Sequence, residues 1–220
     1  SVAVDGPAGS GKSTITKMVA QKLGFNYVDT GAMYRALTYN FLSKDLKELE
    51  ENRIKELLED LDFRVEYVDG VQYVYVNDVE VSDKIRTAEV SQYTSLFAKS
   101  PAVREFLIDT QRNLAHTNNI IMDGRDIASV VLPNADVKIF LTASVEERAR
   151  RRVLDFERQG LENVDFEKVK EDIKARDWQD ENRDIAPLVK VDSATLVDTT
   201  SMTIGEVVDK MTELVKVVER

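Results

Sequence analysis

The sequence predicts an α/β protein with a parallel core sheet flanked by helices. Two observations predict it. A glycine-rich loop ending in Lys-Ser joins a short apolar run to an amphipathic one. Four further short apolar runs follow, at Phe25–Asp29, Asn119–Asp123, Asp136–Leu141 and Ala194–Asp198, with helical stretches between them. Runs of this kind alternating with helices argue for parallel strands. One region, Phe63 to Val81, breaks this pattern: Phe63–Val68 and Val71–Val76 each alternate, with a turn between them, which reads as an inserted antiparallel meander.

The first element is the strand Ser1–Asp5. The loop after it, Gly6-Pro7-Ala8-Gly9-Ser10-Gly11-Lys12-Ser13, fits the pattern G-x-x-x-x-G-K-[ST] without a mismatch. Each fixed residue type answers a demand of a bound triphosphate. The glycines let the backbone curl until successive N–H groups face anionic oxygens. Lys12 carries a flexible charge to the β- and γ-phosphates, and Ser13 offers a hydroxyl to Mg²⁺. The helix Ser13–Leu23, with Ile15, Met18, Val19 and Leu23 on one side, turns its positive dipole end toward the same phosphates. Strand, loop and helix are the context that gives the motif its meaning.

The second strand, Phe25–Asp29, runs into Asp29-Thr30-Gly31-Ala32-Met33-Tyr34-Arg35. Gly31 permits a close approach, and Thr30 is placed to cap the helix or touch a ligand. Arg35 lies one turn on, able to fork to a phosphate at the ligand-facing end of the sheet. A plain helix cap with a surface arginine is the alternative. Leu46 to Leu61 reads as an amphipathic helix with a solvated charged face.

The meander comprises Phe63–Val68, a turn at Asp69-Gly70, Val71–Val76, and Val79–Val81 after Asn77-Asp78. Periodicity leaves open whether it is a structural edge addition or a cover over a substrate.

The strand Asn119–Asp123 ends in Asp123-Gly124-Arg125-Asp126. An aspartate there is suited to the Mg²⁺ shell, with Arg125 and Asp126 in the crevice; a structural ion pair is the alternative. After Asp136–Leu141, the stretch Val145 to Asp184 is rich in Arg, Glu and Asp and breaks at Gln159-Gly160. Arg148 and Arg152 share a helix face, as do Arg176, Asp180 and Arg183. Such runs usually mean a solvated face. Phosphoryl transfer, however, needs positive charge and exclusion of water, which an arginine-bearing lid supplies. The strand Ala194–Asp198 and a final helix within Thr203–Arg220, with Val207, Val208, Met211, Leu214, Val215 and Val218 at helical spacing, complete the chain.

The composition narrows the options. The 220 residues suffice for one sizeable core with inserted subdomains. No apolar run reaches membrane-spanning length, and no signal-peptide pattern opens the chain. Zero cysteines exclude disulfides and thiolate metal sites and fit a reducing cytoplasm. A net charge of −10 argues against broad nucleic-acid binding. The absence of a long heptad or exposed apolar stripe makes a monomer the expectation.

Together these motifs resemble the nucleoside monophosphate kinases, and within them bacterial cytidylate kinase. The resemblance rests on Gly6 to Thr14, Asp29 to Arg35, Asp123 to Asp126, Val137–Leu141 running into Glu146–Arg151, and Arg176-Asp177 with Asn182-Arg183 before Ala186-Pro187-Leu188. It spans the chain from end to end. It implies a P-loop three-layer sandwich with a small antiparallel meander and a helical lid. The core would be residues 1–29, 119–145 and 185–220, the monophosphate-binding region 30–118, and the lid 146–184. It also implies transfer of the ATP γ-phosphoryl group to CMP or dCMP with Mg²⁺, and it tilts the meander toward function.

By that resemblance Lys12, Asp123, Arg125 and Arg183 are the catalytic residues. Gly6, Pro7, Ala8, Gly9, Ser10, Gly11, Lys12, Ser13 and Thr14, with Arg148 and Arg152, hold ATP. Ser13 and Asp123 serve the metal, Asp123 through water. Arg35, Arg125 and Arg183 grip the CMP phosphate; Ser95, Arg104 and Asp126 read cytosine; Arg176 and Asp180 reach the sugar. Thr30 stands where the family commonly has Ser, keeping a hydroxyl. Cytosine offers an amino donor beside two acceptors, which suits Asp126 and Arg104, whereas uracil would leave buried groups unpaired. His116 is expected at the surface, and Trp178 is expected to pack the lid. A GTPase switch would need an Asn-Lys-x-Asp segment, which the sequence lacks, and a kinase of a neutral metabolite would not need so many phosphate-gripping arginines. Within the family, a UMP/CMP or AMP kinase is the nearest rival.

Overall fold

The structure is a computed structural model that describes residues 1–68, 70–117, 119–158, 160–161 and 163–217. Asp69 of the expected turn, Gln159 of the expected break, Asn118 at the edge of the expected 30–118 region, and Val218 to Arg220 of the final helix lie outside the described residues. In chain order the elements are β1 (Val2–Asp5), α1 (Lys12–Leu23), β2 (Asn26–Asp29), α2 (Thr30–Ser43), α3 (Glu51–Glu59), β3 (Phe63–Val68), β4 (Val71–Val76), β5 (Val79–Glu80), α4 (Ala88–Phe97), α5 (Pro101–Thr117), β6 (Ile120–Gly124), a π turn (Ile127–Val131), β7 (Val137–Thr142), α6 (Val145–Arg158), α7 (Phe166–Glu181), β8 (Thr195–Asp198) and α8 (Ile204–Lys216). They fall into two compact units, Ser1–Gly24 with Ile121–Arg220, and Phe25–Ile120.

In the first unit the strands run β6-β1-β7-β8, all parallel. β1 and β6 are buried along their whole length, which is why they read as continuous apolar runs rather than alternating ones. The register Val4↔Asp123 and Asp5↔Gly124 sets the end of β6 beside the start of the glycine-rich loop. Helix α8 opens with a capping box: Thr203 Oγ1 accepts from the Glu206 N–H, while the Glu206 carboxylate accepts from the Thr203 N–H. It buries Val207, Val208, Met211 and Val215 and packs on α1. Helices α6 and α7 form a hairpin with a small core of its own around Ala149, Val169 and Ile173. Trp178 does not join it: the indole is 67% exposed. Met18 also departs from expectation, since α1 buries Ile15, Thr16, Val19 and Ala20 and leaves Met18 on the rim.

In the second unit the meander forms as the alternation predicts, β3-β4-β5 antiparallel. Asn77 and Asp78, both at positive φ, make the two-residue turn between β4 and β5. Val74 and Val76 point from β4 into a core shared with Ala32 and Ala36 of α2 and with Ile85 and Val90. The outer face carries Arg64, paired with Asp62, Glu66 and Asp78. The helix expected over Leu46–Leu61 is shorter, because Asp45 adopts a left-handed conformation and the Leu46 N–H turns back to the Phe41 carbonyl. This drives Leu46 into the core and delays α3 to Glu51. The sequence reading assigned no element to residues 82–118, which hold α4 and α5.

Candidate active site

The loop between β1 and α1 lies directly against β7. Gly6 has φ +152, and a Cβ there would stand 1.9 Å from the Leu141 carbonyl oxygen, so only glycine fits. Helix α1 begins at Lys12 with no side-chain cap on its first N–H groups, as a helix that receives phosphate requires. Lys12 is buried, and its Nζ donates to the Pro7 carbonyl at 2.7 Å and to Ser10 Oγ at 3.3 Å. Burial, and then the Arg125 charge, hold its ammonium well below the usual lysine range, against the pull of Asp123, Asp5 and Asp180. Ser13 Oγ donates to Asp123 Oδ2 at 2.9 Å. A hydroxyl and a carboxylate so placed are hard oxygen donors that fit Mg²⁺. Thr14 follows on the exposed side of α1.

Arg125 and Asp126 do not pair with each other. Arg125 Nε donates to Asp180 on α7 at 2.8 Å, and Arg183 Nη2 donates to Asp126 at 3.2 Å. The sequence neighbours are thus crossed onto two partners from the arginine-rich stretch. Burial opposes the Arg125 charge, but Asp180, by charge and hydrogen bond, with Asp123 and Asp5 behind it, lifts its pKa above the ordinary guanidinium value. Arg183 also donates to the Ala186 carbonyl at 2.6 Å, which fixes its fork. Arg176 sits half-buried one turn before Asp180.

In the second unit, Thr30 opens α2 and is buried, but the cap is Asp29, whose Oδ1 accepts from the Ala32 N–H at 2.8 Å. The other oxygen of Asp29 takes Arg35 Nη2 at 3.0 Å, and the pair folds over Gly31, where a Cβ would meet both. Arg35 Nε has no hydrogen-bond partner. Ser95 is half-buried on α4. Arg104 on α5 is buried, donates to the Ala98 carbonyl at 3.3 Å, and lies over the Tyr34 ring at 5.9 Å.

Four residues of this machinery escaped the sequence reading. Asp5 is buried and takes the Ile127 and Ala128 N–H groups on its two oxygens, at 2.8 and 2.7 Å. Gln72 of β4 both accepts from the Asp29 N–H and donates to the Asp29 carbonyl, at 2.8 and 3.2 Å, so the meander holds the backbone just before Thr30. Asp177 pairs with Arg148 at 2.7 Å. Arg151, not Arg152, reaches the loop: its Nη1 lies 3.4 Å from the Ser10 carbonyl, while Arg152 is exposed and stacks on Phe156 at 4.6 Å. Of the two expected lid arginines, Arg148 alone touches the loop, at the Ala8 carbonyl, 3.0 Å away. His116 is exposed, as expected.

A parallel sheet whose strand ends carry a phosphate loop, a buried lysine and a Ser–Asp oxygen pair defines a P-loop nucleotide-binding protein. The model of the cytidylate kinase family matches residues 2–217. The chain is 46% identical over 213 residues to the cytidylate kinase of Caldicellulosiruptor saccharolyticus, covering 97% of this chain and 94% of that one. It is 45% identical over 216 residues to the cytidylate kinase of Bacillus subtilis, covering 98% and 96%. Among solved structures, an uncharacterized protein from Eubacterium ventriosum aligns with a TM-score of 0.53 at 12% identity, covering 99% of this chain and 97% of that one, a likeness of fold alone. The chain belongs to the cytidylate kinase family.

Proposed function

We propose that this kinase transfers the γ-phosphoryl group of ATP to CMP and dCMP, giving CDP and dCDP. The observation that carries the reading is the crossed pair of ion pairs, Arg125–Asp180 and Arg183–Asp126, in the same unit as the phosphate loop. Two guanidinium groups held beyond the loop suit an acceptor that is itself a phosphate. A neutral acceptor would leave them without purpose. The relatives' shared name supports cytidylate as that acceptor.

In this reading the loop residues Gly6 to Thr14 bind the donor. Lys12 neutralises charge on its terminal phosphates, with Arg148 at the loop and Arg152 completing the donor side. Arg125 and Arg183 in the first unit, and Arg35 in the second, orient the acceptor phosphate. Asp126, Ser95 and Arg104 read cytosine, Arg176 and Asp180 reach the sugar, and Thr30 keeps its hydroxyl for the acceptor. The acceptor oxygen is already anionic near neutral pH, so no strong base is needed. Catalysis is positioning plus charge neutralisation. Ser13 and Asp123 would hold Mg²⁺, Asp123 through water, and the ion when bound supplies further neutralisation of the phosphates. Residues 1–29, 119–145 and 185–220 act as core, 30–118 as the acceptor-binding region and 146–184 as the lid. The protein acts as a cytoplasmic monomer without nucleic-acid or membrane partners. No described helix is long and apolar enough to cross a membrane, and the net charge is −10.

A coupled assay of ADP release with CMP, dCMP, UMP and AMP at matched concentrations tests the reading. CMP and dCMP should be the efficient acceptors. Equal turnover of UMP or AMP would overturn the cytosine assignment.

A further inference from the structure

The backbone of the phosphate loop is gripped from behind. Arg148 Nη1 donates to the Ala8 carbonyl at 3.0 Å, and Arg151 Nη1 approaches the Ser10 carbonyl at 3.4 Å. Neither arginine is a loose surface group. Arg148 is 4% exposed, spends Nε on the Ala143 carbonyl at 3.0 Å, and pairs with Asp177 at 2.7 Å. Arg151 is tied by Nε to Glu147 at 3.0 Å, by Nη1 to Thr199 Oγ1 at 3.0 Å, and by Nη2 to the Thr199 carbonyl at 2.8 Å. Helix α6 lies close on the loop: a Cβ on Gly9 would sit 3.4 Å from Arg148 Cβ, and one on Gly11 would sit 3.7 Å from Arg151 Nη1.

The planarity of the trans peptide gives these contacts a consequence. A carbonyl and the N–H of the next residue point in opposite directions. A guanidinium that holds the Ala8 carbonyl toward α6 therefore aims the Gly9 N–H away from it. The Ser10 carbonyl and the Gly11 N–H stand in the same relation. No cis peptide among the described residues disturbs this geometry. The N–H groups of such a loop are what cradle the α- and β-phosphates of a bound nucleotide.

We propose that Arg148 and Arg151 are positioning residues that act on the donor through the loop, by holding the Ala8 and Ser10 carbonyls so that the Gly9 and Gly11 N–H groups face the phosphates. For Arg151 the proposal adds a role to a residue that the functional reading leaves idle. For Arg148 it changes the expected one from direct contact with the triphosphate to contact with the loop. The inference rests on the reading of the loop as the donor site. Arg151 also joins two parts of the first unit, since the same fork holds Thr199, just past β8.

The test is calorimetric titration of ATP, ADP and CMP into the wild type, Arg151→Ala and Arg151→Lys, with amide hydrogen exchange of residues 8–12 in the nucleotide-free protein. Loss of the fork removes hydrogen bonds that preorganise the loop, so Arg151→Ala should weaken ATP and ADP by the same factor, about tenfold. CMP binding should not change, and the loop amides should exchange faster. Lysine keeps the charge but not the fork, so it should fail to restore affinity. Arg148→Lys should repeat the pattern with its own carbonyl. Loss confined to ATP would mean direct contact with the γ-phosphate and would overturn the proposal. Full rescue by lysine, equal loss for CMP, or unchanged nucleotide affinity in Arg151→Ala would overturn it too. Failure of the wild type to bind ATP and ADP would instead sink the donor-site reading itself.

Discussion

Ser13 Oγ donates to Asp123 Oδ2 at 2.9 Å across 110 residues of sequence. The parallel register of β1 and β6 makes this possible by setting Val4 beside Asp123, so that the loop after one strand meets the end of the other. A bound Mg²⁺ would exchange this hydrogen bond for ligation by the Ser13 hydroxyl, with Asp123 holding the ion through water. Ser13→Ala and Asp123→Asn should therefore each lower kcat by about 10- to 100-fold and raise the Mg²⁺ concentration needed for half-maximal rate. A Mg²⁺ titration of initial rates checks both. An unchanged Mg²⁺ requirement in both variants would remove the pair from the metal site.

The crossed ion pairs make a separate prediction. Arg183 and Asp126 are less than a tenth exposed in their side chains, so truncating one removes a charged partner from a buried group. Arg183→Ala should raise the KM for CMP on the order of a hundredfold, with little change in the KM for ATP. A double-mutant cycle with Asp126→Asn should show strong coupling. Equal loss for both substrates in Arg183→Ala would refute the acceptor assignment.

Lys12 sets stability against activity. Its folded pKa lies below the ordinary lysine value of 10.5, with burial the largest cause. A depressed folded pKa means a contribution present above the unfolded pKa and lost as pH falls through the folded one. Burying an ionisable amine here therefore costs the fold stability, and the site keeps it for the phosphates. Lys12→Met should reduce kcat by at least about a hundredfold while leaving Tm no lower than that of the wild type. Thermal melts at neutral pH beside rate measurements decide this, and a clear fall in Tm would contradict it.

What the sequence makes legible follows from range. The loop at Gly6–Ser13 and the strand ends at Asp29 and Asp123 depend on local patterns, so motif and apolar run identify them. The meander is legible because β3 and β4 alternate with period two. The crossed pairing is not, because Arg125 and Asp126 adjoin in sequence while their partners Asp180 and Arg183 lie some 55 residues on, as the fold alone determines. Asp5 escapes for the same reason: it is written as the last residue of a strand, and its hydrogen-bond donors are backbone groups more than 120 residues away. Helical spacing placed Arg152 on the face of Arg148, but a three-residue step serves the loop better than a four-residue one, and Arg151 takes the contact.

Asp5 supplies a prediction about pH. Burial pushes its carboxyl from 3.8 up to about 6, against the two backbone N–H groups of Ile127 and Ala128 that favour the charged form. A folded pKa raised above the unfolded one gives stability that is complete below about 3.8 and is lost as pH rises through about 6. The full span of that shift corresponds to about 3 kcal/mol. Asparagine at this position cannot titrate, and it turns an amide NH₂ toward one of the two N–H donors, a fixed loss of about 1–3 kcal/mol. Urea unfolding of the wild type and Asp5→Asn from pH 4 to pH 8 separates the two effects. The wild-type advantage should be largest at the acid end and should shrink by about 2 kcal/mol between pH 4 and pH 7, most steeply around pH 5, between the unfolded and folded values. Two curves that stay parallel across this range would show that Asp5 does not change its charge there. Because the N–H groups it holds open the π turn next to Arg125 and Asp126, the same variant should also raise the KM for CMP more than that for ATP.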